Sequence, residues 1–172
     1  TVIVPTGSTE QHGPHGPLLT DVLVPNEVAR RVAPEVGAVV APPINYGLSY
    51  PHVGFTGLVH IRIPTFMALV EDLCASLSSI GFRRIVFLNG HYDNTYAIAY
   101  ACANVADLLP AGTRCFPVNY WDGMTPDEAA GQGWVAALHP DDRDRVAAEW
   151  YAAAEARIEF VSDYRFRTPD GR

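Results

Sequence analysis

Two short apolar runs, Val2-Ile3-Val4 and Ile85-Val86-Phe87-Leu88, each stop abruptly at a polar stretch containing glycine. Runs of this length without polar alternation read as buried strands, and buried strands belong to a parallel sheet. In such a sheet the strand C-termini line one edge, and ligands bind there. The residues just past each strand therefore decide the chemistry. The first strand leads into Gly7-Ser8-Thr9-Glu10-Gln11-His12-Gly13-Pro14-His15 and on to Asp21; the second leads into Asn89-Gly90-His91-Tyr92-Asp93-Asn94. Glu10 and His12, like His91 and Asp93, stand two apart and project to one side of an extended segment. Taken singly, either pair is also what a solvated loop carries. Together they bring Glu10, His12, Asp21, His91 and Asp93 to one sheet edge. Five such ligands exceed what one tetrahedral zinc with an open position needs, and suit two divalent ions sharing a bridging carboxylate.

The rest of the chain alternates in the same way. Val24, Val28 and Val32 predict a helix after Asp21 that ends at Pro34, and Gly37–Ala41 reads as a second buried strand. Residues 44–52 form a turn-rich loop over the ligand edge, with Tyr46, Ser49 and His52 as candidate pocket residues. Residues 59–63 suggest a short alternating strand whose His60 and Arg62 are solvated. A helix opens at Pro64-Thr65, with Thr65 as N-cap, a stripe of Phe66, Leu69, Val70, Leu73 and Leu77, and a stop at Gly81. Further helix is expected over 94–109 and strand over 113–118, with Tyr120, Trp121 and Asp122 at the strand's end. Asp141 is placed as cap of a last helix packing through Val146, Trp150, Ala154 and Ile158. Strands alternating with helices give an α/β fold, a three-layer α/β/α domain with a mostly parallel central sheet.

At 172 residues the chain is long enough for one domain with a single core, taken as residues 1–172. A formal charge of −7 argues against nucleic acid as a partner. No stretch is long and apolar enough for a membrane span. Cys74, Cys102 and Cys115 are odd in number and lack metal or redox spacing, which implies a reducing, cytoplasmic setting. The chain begins inside a strand, so residues preceding Thr1 are expected.

The run Ser8-Thr9-Glu10-Gln11-His12-Gly13-Pro14-His15, with Thr20-Asp21 and then Gly81-Phe82-Arg83-Arg84-Ile85-Val86-Phe87-Leu88-Asn89-Gly90-His91, resembles the creatininase (creatinine amidohydrolase) family. The resemblance extends in order from Val4 to about Trp134. It implies a binuclear metal hydrolase that opens amide bonds, often cyclic, by a metal-bridging hydroxide. By the same resemblance Glu10 and His91 hold one ion, His12 and Asp93 the other, and Asp21 bridges them. The ions would be Zn²⁺, Mn²⁺ or both, two per chain. Tyr92 after the metal histidine, and Asn119-Tyr120-Trp121-Asp122, resemble creatininase itself more than its deformylase or peptide-processing relatives. Creatininase carries Glu where this chain has Asp93.

The implied substrate is a small molecule, creatinine or a close cyclic amide, bound by Tyr92, Trp121, Trp134 and Ser49. Aromatic faces favour a delocalised, guanidinium-like ring. Other family specificities, such as formamide deformylase or cyclic ketone or lactone hydrolase, stand as alternatives, as does a non-catalytic, metal-stabilised scaffold. The resemblance also implies a homo-oligomer, commonly a hexamer. No catalytic acid/base is identified among the residues present. In the family that histidine follows a Trp matching Trp134, so a loop carrying it is expected between Val135 and Ala136. His139 is the substitute within the sequence, although its place before a helix favours a surface role.

Overall fold

A computed structural model describes residues 1–13, 16–123, 138–156, 162, 163 and 165. The chain divides into two compact units, Thr1–Asp122 and Gly123–Arg172. The first holds strands β1 (Val2–Thr6), β2 (Val39–Val40), β3 (Arg84–Asn89) and β4 (Arg114–Asn119). Its helices are α1 (Thr20–Val36), α2 (Ile63–Ser79) and α3 (Asn94–Val105). The second holds α4 (Pro140–Ala156).

The sheet has the order β2-β1-β3-β4, and every pairing is parallel. Side chains alternate across it with a period of two. Val2, Val4, Ile85 and Phe87 face α2 and α3, where they pack with Phe66, Val70, Ile98 and Ala101. Ile3, Val40, Val86 and Leu88 face the other way, onto Ala29 and Ala33 of α1. The result is the expected three-layer α/β/α arrangement, with α1 on one face and α2 and α3 on the other. Phe66, Phe87 and Ile85 are fully buried, each contributing about 1.5–3 kcal/mol. Pairing of Thr6 with Asn89, and of Asn89 with Asn119, brings three strand C-termini level at one edge.

Several boundaries differ from the sequence reading. Helix α1 passes Pro34 and ends with Gly37 in the left-handed conformation at φ 60°, where glycine carries no Cβ penalty. It buries Val22, Pro25, Ala29 and Ala33, while Val32 is exposed. Small side chains win this face because they let the helix lie close to the sheet. The second strand shrinks to two residues, and Val39 is exposed because β2 is an edge strand. Residues 59–60 make only isolated bridges, to Thr9 and Gly47. Arg62, not Thr65, is the N-cap of α2, with Pro64 in its first turn. Helix α3 stops at Val105.

In the second unit His139 precedes α4, and its Nδ1 accepts a hydrogen bond from Asp141 N at 3.3 Å. Asp141 thus lies inside the first turn and does not cap it. Val146 is buried, but Trp150 is 37% exposed and stacks edge-on against Tyr151, so it is not core. The Ala154 side chain and Ile158 lie outside the described residues.

Candidate metal centre

Loops leaving β1 and β3 and the first turn of α1 bring four of the five expected ligands together. Asp21 is the centre of the group. One of its oxygens, Oδ1, lies 2.9 Å from His12 Nε2; the other, Oδ2, lies 2.7 Å from His91 Nδ1. Glu10 Oε1 lies 3.6 Å from His91 Nδ1. Ligand atoms of Glu10, His12 and Asp21 all fall within 4.8 Å of one another.

The outer nitrogens of both rings are committed elsewhere. His12 Nδ1 is 3.2 Å from Glu10 O, and His91 Nε2 is 2.6 Å from Leu48 O. A carbonyl oxygen can only accept, so both outer nitrogens carry their protons and donate. In the neutral tautomer each inner nitrogen then aims a lone pair at Asp21. Lone pair against carboxylate is repulsive unless a cation or a further proton lies between. Glu10 Oε2 adds a buried oxygen with no hydrogen-bond partner. This donor set fits divalent metal: histidines oriented through their second nitrogen, with carboxylates converging on the first.

Without metal, protons take up the mismatch. Hydrogen bonding to Asp21 raises the His12 pKa above its ordinary 6.5, against burial. Burial pulls His91 down, but the Asp21 hydrogen bond, the Leu48 carbonyl and the charges of Glu10 and Asp21 lift it above 6.5. Burial pushes the Asp21 carboxyl up, yet hydrogen bonds from His12 and His91 outweigh it and hold the group below 3.8.

Two buried asparagines fix this arrangement, and the sequence reading gave them no role. Asn89 Oδ1 accepts from His91 N at 3.1 Å while its Nδ2 donates to His91 O at 2.7 Å and to Asn119 Oδ1 at 2.9 Å. Asn94 Oδ1 accepts from Leu48 N at 2.9 Å, and its Nδ2 donates to Gly7 O at 3.0 Å. Asn94 thus ties the β1 loop to the loop whose carbonyl holds His91. The available signal was an amide side chain at each end of a stretch already rich in ligands.

Asp93 is not in the cluster. It is half-buried and lines a neighbouring groove of about 520 Å³ with Leu48, Tyr50, Ile63, Tyr92 and Tyr96. Tyr92 is 68% exposed there. Ser49 is fully buried, with its Oγ 2.5 Å from Ser8 Oγ and its N–H donated to His60 Nδ1 at 3.0 Å. It braces the loop and does not open to a ligand, and His60 is correspondingly not a solvated residue. His52 is engaged by Gln11 at 2.7 Å, and Tyr46 is exposed. Trp121 is partly buried, edge-on to Tyr120 at 5.1 Å between ring centroids. Asp122 accepts hydrogen bonds from Asn119 N and Nδ2, closing the turn after β4. Trp134 and the junction of Val135 with Ala136 lie outside the described residues.

Among the described residues no helix is long and apolar enough to cross a membrane. Fold and cluster together define a three-layer α/β protein with a Glu/His/Asp donor set at the carboxyl edge of its parallel sheet. The chain belongs to the creatininase family of hydrolases: the family described as creatinine amidohydrolase matches residues 1–159. It is 32% identical over 175 residues to the creatinine amidohydrolase of Pseudomonas putida, covering 84% of this chain and 67% of the relative. It is 46% identical over 108 residues to the mycofactocin precursor peptide peptidase of Mycolicibacterium smegmatis, covering 59% of this chain and 43% of that one. The solved structure described as creatininase Mn aligns with a TM-score of 0.67 at 31% identity, over 81% of this chain and 56% of the other. The chain thus spans 43% to 67% of the length of these relatives.

Proposed function

We propose that this chain forms the metal centre of a binuclear, metal-dependent amidohydrolase acting on a cyclic amide of a small molecule, creatinine or a close analogue. The observation that carries this reading is the shared orientation of the two histidines. Each spends its outer N–H on a backbone carbonyl and turns its inner nitrogen to a different oxygen of Asp21. Glu10 and His91 would hold one ion and His12 the other, with Asp21 between them; Asp93 stands outside the cluster, and its place as a further ligand of the second ion rests on family resemblance alone. Divalent ions such as Zn²⁺ or Mn²⁺ would supply Lewis-acid activation of water and of the amide carbonyl.

The chain's own residues orient and enclose. Asn89 holds the His91 backbone from both sides, and Asn94 holds the Leu48 loop. Leu48, Tyr50 and Tyr92 wall a groove of a size for a flat ring, and Asp93 lies along it. Trp121, which does not line this groove, and Trp134 are substrate contacts by family resemblance alone, and the same resemblance assigns the acid/base histidine to a loop after Val135. Assembly into a homo-oligomer, a hexamer by family resemblance, belongs to the same proposal and is read by light scattering.

Likeness to the mycofactocin precursor peptide peptidase favours a second reading, in which the amide belongs to a peptide. One experiment separates them. Chelator-stripped protein is reloaded with Zn²⁺ or Mn²⁺ and offered creatinine, other cyclic amides, formamides, lactones and short peptides. Metal-dependent turnover of creatinine or another cyclic amide supports the first reading. Turnover of peptides alone moves the assignment to the second, and turnover of formamides or lactones alone to another specificity. Stoichiometric metal with no turnover leaves a metal-stabilised scaffold.

A further inference from the structure

All three cysteines of the chain converge, although they come from three elements: Cys74 from α2, Cys102 from α3 and Cys115 from β4. Their sulfurs lie within 4.8 Å of one another, and Cys115 Sγ is 3.3 Å from Cys74 Sγ. Cys74 is fully buried, Cys102 nearly so, and Cys115 only partly. Any one of them alone is core filler. Three sulfurs facing one point are also a ligand set, because thiolates select soft ions.

Geometry and charge narrow the ion. A pyramidal centre about 2.3 Å from three sulfurs, with angles of about 100° between them, spaces the sulfurs about 3.5 Å apart, within the range seen here. Among the described residues no carboxylate or imidazole joins the three to make the fourth ligand that structural zinc needs. The cluster belongs to an apolar core that includes Phe66, Val70 and Ile98, where uncompensated charge is costly. A trivalent ion held by three thiolates is neutral.

We propose that Cys74, Cys102 and Cys115 form a preformed trithiol site for a three-coordinate, trivalent thiophilic ion of the arsenite type. Entry is through a groove of about 520 Å³ between α3 and β4, which Cys102 and Cys115 line. Cys115 is the first ligand, since it lines the groove and is the one cysteine of the three that is not buried. The condensation balances without redox chemistry. Three S–H groups and As(OH)₃ give three As–S bonds, and each displaced hydroxyl leaves with a thiol proton as water.

The test titrates the reduced, folded protein with sodium arsenite. Free thiols are expected to fall from three to none as intact mass gains one arsenic and loses three hydrogens. Affinity should exceed that of the urea-unfolded chain by at least about tenfold, because folding has already gathered the sulfurs. Cys115→Ser and Cys102→Ala should each lose at least about tenfold in affinity; Cys115 is the variant least disruptive to packing, and circular dichroism checks both folds. Thiols left unreacted, equal affinity in the folded and unfolded chain, or single variants that bind like the parent would each overturn the site. Zn²⁺ protecting all three thiols as strongly as arsenite would overturn the three-coordinate assignment.

Discussion

Gly90→Ala tests how the metal centre is positioned. A Cβ at this residue would stand 2.2 Å from the backbone oxygen of Asp21 and 2.6 Å from Pro25 Cδ. Ordinary contact requires about 3.2–3.5 Å, so the first turn of α1 must retreat by about 1 Å. The Asp21 carboxylate moves with it. Its two hydrogen bonds, now 2.9 and 2.7 Å, would stretch to about 3.7–3.9 Å, beyond useful range. Overpacking of this kind costs about 1–3 kcal/mol. For a chain of this size that is a fall in Tm of about 2–12 °C. Ligand sets tolerate displacements of only about 0.5 Å, so affinity for Zn²⁺ should fall by at least about tenfold. Thermal melts of metal-free protein and calorimetric Zn²⁺ titration read the two effects separately. A lower Tm with unchanged affinity would mean that α1 does not set the Asp21 position. Parent-like values in both would refute the close packing itself.

Other outcomes rest on the same contacts. Asp21→Ala should reduce occupancy of both ions, measured by elemental analysis, and full metal content would end its bridging role. Asp93→Asn should weaken one ion and leave the other nearly full; unchanged content would remove Asp93 from the ligands. Asn94→Ala strips partners from Leu48 N and Gly7 O, each worth about 1–3 kcal/mol when buried unsatisfied, and a melt within error of the parent would contradict this. In metal-free protein, the raised His12 and His91 values stabilise the fold fully below 6.5 and lose that contribution as pH rises through them. The depressed Asp21 value stabilises above 3.8 and is lost as pH falls through it. Stability should therefore be highest between these limits, and a melt unchanged as pH rises past neutrality would contradict the pairing.

The layers and the sheet edge were legible because buried strands announce themselves as apolar runs ending in glycine. Glu10, His12 and His91 came with them because each lies just past a strand end, whereas Asp21 enters from the first turn of α1. Asp93, at the same two-residue spacing, is turned out of the cluster because the backbone is already helical there as α3 begins. What pattern reading missed was set by depth. Val24, Val28 and Val32 have the more apolar stripe, yet Ala29 and Ala33 face the sheet. Closeness of approach, which hydrophobicity does not encode, selected the smaller residues. Ser49 sat in a loop of pocket-like composition, but its burial against Ser8 depends on a contact between residues 41 apart in sequence. The three cysteines showed no spacing because helices and a strand, and not a loop motif, bring them together.

Leu48 belongs to two structures at once. Its carbonyl accepts a hydrogen bond from His91 Nε2–H, and the residue lines the groove beside Asp93. On the proposed assignment, a molecule pressing into that groove acts on the same residue that sets the tilt of a candidate metal-ligand imidazole. If occupancy of the groove shifts Leu48, occupancy of the groove and occupancy of the cluster are linked by equal factors in both directions. Whatever ring the groove prefers should tighten or loosen the ions as much as the ions tighten or loosen it. An affinity measured for a cation would then be a property of the solution's small molecules as well as of the chain.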